Sequence, residues 1–245
     1  MSNGIGGYLT GINASVIMTP QGFGWGGGGT NSSAGSGGGS SGGAIRLIVS
    51  NHFVLNGRMS AMGLDGMPAG GGAGGSIWIN AGRMIGSGLV SVNGGNGHLI
   101  LGGGGSGGCI GLHLGTNLFT GNIMAFGGGG ANRGGAGTIY LAITLPAGAT
   151  SPELILDNGG FPAPNTSQGT VIPSFSIPPA TAPPVIIIRN GADGLAASPL
   201  PIAGLVVGSN SVLKLQSALT VTNNVAIESG GSINMDGVRA FPLIM

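Results

Sequence analysis

The chain has 245 residues, 57 of them glycine, and only 5% are charged, against roughly a quarter in soluble domains. Seven basic and six acidic side chains leave a net charge of +1, so there is no basic face for nucleic acid and no charged patch for a membrane surface. Glycine without a strict three-residue repeat excludes collagen, apolar runs as short as Val185–Ile188 exclude a membrane helix, and 41% hydrophobic residues at such low charge is the reverse of a disordered composition.

Residues 1–34 read as an apolar, Gly-rich segment without a charged side chain. Its start, Met1-Ser2-Asn3-Gly4, lacks the basic residues of a secretory leader, so export is expected by another route or the chain is part of something longer. A repeat region spans 35–160. Isoleucines recur at Ile45, Ile77, Ile110 and Ile139, each preceded by small residues and followed two positions later by Leu47, Ile79, Leu112 and Leu141. A spacing of about 30 residues marks a stacked array of similar units. Within each unit apolar residues alternate, which predicts a short strand with one buried face, and the pairs Met59/Ala61, Val90/Val92 and Ile123/Ala125 predict a second. The eight residues of the two Ile/Leu series are expected to form a core ladder.

Glycine runs such as Gly102–Gly105 and Gly127–Gly130 follow the second strand of the units. A helix there is prohibitive, at about 1 kcal/mol per glycine. The runs either stack, as close-approaching extended backbones of polyproline-II type, or serve as flexible linkers. Order is the expectation, because loose loops in phase lose entropy without burying anything. Residues 161–184 carry seven prolines and predict a stiff connector or an edge-covering strap. From 185 to 245 short alternating strands follow one another closely, at Leu205/Val207, Leu213/Leu215, Leu219/Val221, Val225/Ile227 and Ile233/Met235. Such close succession is that of stacked turns with three short faces.

The recurring Gly-Gly-x-Ile-x-Ile/Leu, the alternating Val90-Ser91-Val92, the long glycine runs, Gly137-Thr138-Ile139-Tyr140-Leu141 and the closing Leu154–Gly159 resemble Gly-rich repeat regions of large secreted microbial surface proteins, adhesins and phage tail fibres. The stretch Leu219–Gly231 is similar to them as well. The resemblance implies an all-β, right-handed parallel β-helix (β-solenoid) with glycine-rich insertions, followed by a second short β-rich block. It also implies an extracellular or cell-surface location, or a virion surface. It brings no catalytic motif.

The residues supply little chemistry of their own. Asp65, Glu153, Asp157, Asp193, Glu228 and Asp236 are spread over different units and are expected in turns or at strand ends. His52, His98 and His113 fall at different phases and predict scattered surface histidines rather than a metal site, and Cys109 matches Ala44 and Ser76 as a small residue beside a strand. Neither a cofactor nor a metal is expected. Asn13, Asn31 and Asn165 fit the glycosylation acceptor at a frequency that composition alone explains. Trp78 and Tyr140 take the same outward position in two units, so that with Asn80 and Trp25 they are candidates for packing on a partner or stacking on glycan rings. Near the termini, Ile5, Trp25, Phe241, Leu243 and Ile244 are candidates for contacts between subunits, because neither end carries the charged cap of a soluble repeat array. The expected function is a non-enzymatic building block of an extracellular fibre, filament or appendage, whose partner is another copy of itself. The alternative is a carbohydrate-binding adhesin or viral tail fibre, with cell-surface glycans as partners. Nucleic acid is not expected as a partner, nor is a transmembrane span.

Overall fold

A computed structural model describes residues 14–29, 37–66, 68–145, 148, 150–161, 169–175 and 182–235. Among the described residues the protein is nearly all β, built of several mostly parallel sheets with one short helix. The helix α1 (Ala14–Met18) is followed by β1 (Ala44–Val54), β2 (Arg58–Ser60), β3 (Ser76–Gly86), β4 (Leu89–Ser91), β5 (Cys109–Phe119), β6 (Asn122–Met124), β7 (Thr138–Thr144) and β8 (Thr150–Asp157). After these come β9 (Thr170–Val171), β10 (Val185–Arg189), β11 (Asp193–Ala196), β12 (Leu200–Ile202), β13 (Gly204–Val207), β14 (Val212–Leu215), β15 (Leu219–Val221), β16 (Val225–Ile227) and β17 (Ser232–Met235). One sheet, in the order β1-β3-β5-β7-β8-β10-β13-β16, runs through the whole described chain.

In the first block, each pass of the chain adds one long strand to that sheet and one short strand to the sheet β2-β4-β6. Ile45, Ile77, Ile110 and Ile139 lie opposite one another in successive strands, as do Leu47, Ile79, Leu112 and Leu141. They line a core with Val90, Val92 and Ala125, which is closed at Ile77, Ile79, Ile110 and Leu112 and half-open at Ile45, Leu47 and Val49. In the second block each pass lays down three short strands. Val185 pairs with Gly204, Asp193 with Val212 and Leu200 with Leu219, so three parallel sheets grow together around Ile186, Ile188, Leu205, Val207, Leu213 and Leu219.

The two blocks meet at an antiparallel pair, β7 with β8, where an all-parallel array is the expectation. Between the two strands Gly148 takes a φ of 78° and donates its N–H to the Leu145 carbonyl. Alternate residues of a strand face opposite sides, and here the core changes sides. Ile139, Leu141 and Ile155 pack on the first core, while Tyr140, Ala142, Leu154 and Leu156 belong to the second. Strand β7 is therefore covered on both faces. Helix α1 joins the second core through its fully buried Ile17 and lies against β5 and β7.

Candidate functional site

Between the short and long strands of the first block, the glycine runs form layers of extended backbone. One layer holds 61–66, 92–97 and 125–129; a second holds 37–42, 70–75, 102–108 and 133–137. The run 24–28 lies against the first two members of the second layer, where Gly24 and Gly27 donate to Gly42 and Gly39, and Gly70 and Ala73 donate to Gly28 and Trp25. Within the first layer Gly63 and Gly66 donate to the Asn93 and Asn96 carbonyls, and Gly94 and Gly97 donate to Phe126 and Gly129. Within the second, Gly71 and Gly74 donate to Gly103 and Ser106. Across the layers Gly72 and Gly75 donate to Leu64 and Ala61, and Gly105 and Gly108 donate to Gly95 and Val92. Each neighbour is met again three residues on. That period is the three-residue turn of polyproline II, with hydrogen bonds running between runs because none can form within one.

Such spacing leaves no room for side chains. A Cβ on Gly74 would strike the Val92 carbonyl oxygen, and one on Gly94 would strike that of Gly105. Side chains return at the margins of the lattice, where they tie one pass to the next. Asp65 Oδ1 accepts the Asn96 N–H at 2.6 Å, Asn96 Oδ1 accepts the Gly129 N–H at 2.7 Å, and Asn93 Oδ1 accepts the Phe126 N–H at 2.8 Å. Asp65 thus has a counterpart in Asn96, one pass further on. Beyond these bonds the lattice ends in exposed apolar side chains at Leu64, Leu99 and Ile100, with Leu99 80% accessible.

The face of the first block's sheet away from its core carries a row of packed rings. The Arg46 guanidinium sits 4.7 Å from the centre of the Trp78 ring, whose centroid is 6.0 Å from His113, itself 5.6 Å from Tyr140. This row is covered. Trp78 is 8% and Tyr140 3% accessible, which corrects the reading of both as outward aromatics free to meet a glycan or a partner. The cause is the segment around α1. His113 Nε2 lies 2.6 Å from the Met18 carbonyl oxygen, and Gly111, between Trp78 and Tyr140 in the ladder, admits the Pro20 ring where a Cβ would come within 2.6 Å of its Cδ. Burial pushes the Tyr140 hydroxyl pKa up. Trp25 and Asn80 are exposed. Ile5, Phe241, Leu243, Ile244, Asn13, Asn31, Asn165 and Asp236 lie outside the described residues.

The titratable groups are engaged separately. Asp157 accepts from Arg189 Nε at 2.8 Å, from Asn190 Nδ2 and from the Gly159 N–H, and Lys214 Nζ donates to Asp193 Oδ2 at 2.6 Å. His98 Nδ1 accepts the N–H groups of Ile100 and Leu101, shaping the exposed lattice end. Cys109 is buried and accepts a hydrogen bond from Thr138 Oγ1; burial raises its pKa, against the smaller lowering effect of that bond, which keeps it a thiol. Among the described residues no three His, Cys, Asp or Glu gather as metal ligands, and no helix is long and apolar enough to cross a membrane. No protein-family model, curated protein or solved structure matches the chain.

The remaining surface of interest is strand β1. It is an edge of the long sheet, eleven residues in length, and among the described residues no strand pairs with its outer side. Ile48 (61% accessible) and Val54 are exposed on it, and the first-block core opens beneath it at Ile45, Leu47, Val49 and Phe53.

Proposed function

We propose that the protein is a non-enzymatic structural building block of an extracellular fibre, filament or surface appendage, and that its two blocks are right-handed parallel β-helices joined at the β7–β8 seam. Right-handedness is the preference of parallel crossovers generally, and the architecture accords with the resemblance to secreted microbial surface proteins. The observation that carries the reading is strand β1. Soluble proteins shorten, charge or cover such edges, whereas this one is long and holds one formal charge, Arg46. Covering it with another copy uses both its unpaired backbone groups and the apolar side chains below it. Electron microscopy and light scattering of the purified chain test the proposal. Oligomers or filaments that grow with protein concentration are expected, and a monomer at every concentration contradicts it.

A second reading is favoured by a different observation, the apolar end of the glycine lattice. Leu64, Leu99 and Ile100 are held out on a hydrogen-bonded framework, a fitting place for an adhesin or tail fibre to touch a surface ligand. With Trp78 and Tyr140 buried, a glycan would have to be met by other side chains, Trp25 and Asn80 among them. Under this reading a Leu99→Ser, Ile100→Ser protein assembles normally and loses binding to cells or glycan arrays. Unchanged binding removes it.

A further inference from the structure

The assembly reading leaves open which surface of the second copy meets β1. We propose that it is the same strand: two copies pair β1 with β1 antiparallel across a two-fold axis, a closed contact in place of head-to-tail stacking. The inference rests on the structural reading above and narrows it to one interface.

The ends of the described array do not match each other. At one end β1 offers eleven residues, while at the other β16 and β17 offer three and four. A head-to-tail contact would leave most of β1 unpaired. Pairing like with like satisfies its Ala44–Ser50 stretch, more than the three or four residues the other end offers, and the fold already joins two parallel arrays in this manner, through the antiparallel pair β7–β8.

Side-chain facing selects the register. In an antiparallel pair, residues directly opposite share a face of the sheet. With Leu47 on the two-fold axis, Ile45 lies opposite the partner's Val49, and Leu47 opposite the partner's Leu47. The half-open cores of the two copies then become one continuous core. On the other face Arg46 lies opposite the partner's Ile48, so that no like charges oppose each other. The exposed Ile48 becomes a cross-strand neighbour of a guanidinium already anchored over Trp78.

That pairing makes a charge at position 48 diagnostic. Ile48→Glu places a carboxylate against the partner's Arg46 twice per dimer, and Ile48→Lys places an ammonium there twice. Position 48 is exposed, so both chains are expected to fold, as circular dichroism checks. By sedimentation equilibrium at low salt, the dimer of the Glu variant should be tighter than that of the Lys variant by about tenfold in Kd, with the gap closing at high salt. Hydrogen exchange of the unsubstituted chain should show amides within 44–50 becoming more protected as protein concentration rises. Oligomers whose Kd is the same for both variants overturn the β1–β1 contact and leave the structural reading standing. A chain that stays monomeric, with β1 exchanging freely or protected at every concentration, overturns both. Protection in that monomer identifies a segment of the same chain as what covers the edge.

Discussion

Both blocks stack parallel strands in register, yet they fill the space between sheets by opposite means. In the first block a pass is long, carrying the chain from Ile45 to Ile77, then to Ile110 and to Ile139. Much of each pass is glycine whose backbone bonds to backbone on several sides. In the second block a pass is shorter, from Ile186 to Leu205 and on to Val225, and the interior is filled by Leu, Ile and Val from three sheets. A core of side chains is held by the area it takes from water. A lattice of bare backbone buries little apolar surface and is held by satisfied amides, so every position in it depends on close spacing. The first block therefore tolerates less change at glycine than the second does at comparable glycines.

That contrast can be broken by substitution. The largest effect is expected where a charge enters the side-chain core of the first block: Ile110→Asp, fully buried between Ile77 and Ile139, should cost more than about 5 kcal/mol and give an unfolded or insoluble product. A cooperatively folded variant in thermal unfolding would contradict the ladder. Next comes Gly74→Ala. Its methyl meets the Val92 carbonyl, part of the neighbouring run, and should destabilise the first block by about 3 kcal/mol in urea titration. Asn93→Ala removes the side-chain acceptor of the Phe126 N–H and should cost about 1 kcal/mol by the same measurement. Smallest is Gly204→Ala in the second block, where the added methyl finds ordinary contacts at 3.4 Å or more. The folded state is expected to be unharmed, with a gain of about 0.5 kcal/mol from the stiffer unfolded chain. Equal losses at Gly74 and Gly204 would erase the distinction between the blocks.

The strands and the alignment of the isoleucine and leucine ladders were legible because alternation has a period of two and the units are of nearly equal length; both signals are local and recur at Ile45, Ile77, Ile110 and Ile139. Strand direction was not legible. Alternation is identical in parallel and antiparallel strands, so β8 carried no sign that it runs back along β7. A trace of the seam was present in Ile139-Tyr140-Leu141-Ala142-Ile143, whose unbroken apolar run marks a strand buried on both faces. The covering of Trp78 and Tyr140 was not foreseeable, because α1 has five residues, too few for a helical period to show. Gly111 held the one hint, an empty place in a row of large side chains.

The glycine runs are framework, hydrogen-bonded backbone to backbone like the strands beside them. Amide hydrogen exchange followed at single residues tests this most directly at Gly63, Gly94, Gly97 and Gly105, all donors within or between the layers. Slow exchange is expected, matching the amides of β3 and β5 and lost only with unfolding of the whole block. Exchange of these glycines at free-chain rates, with β3 and β5 still protected, would contradict it.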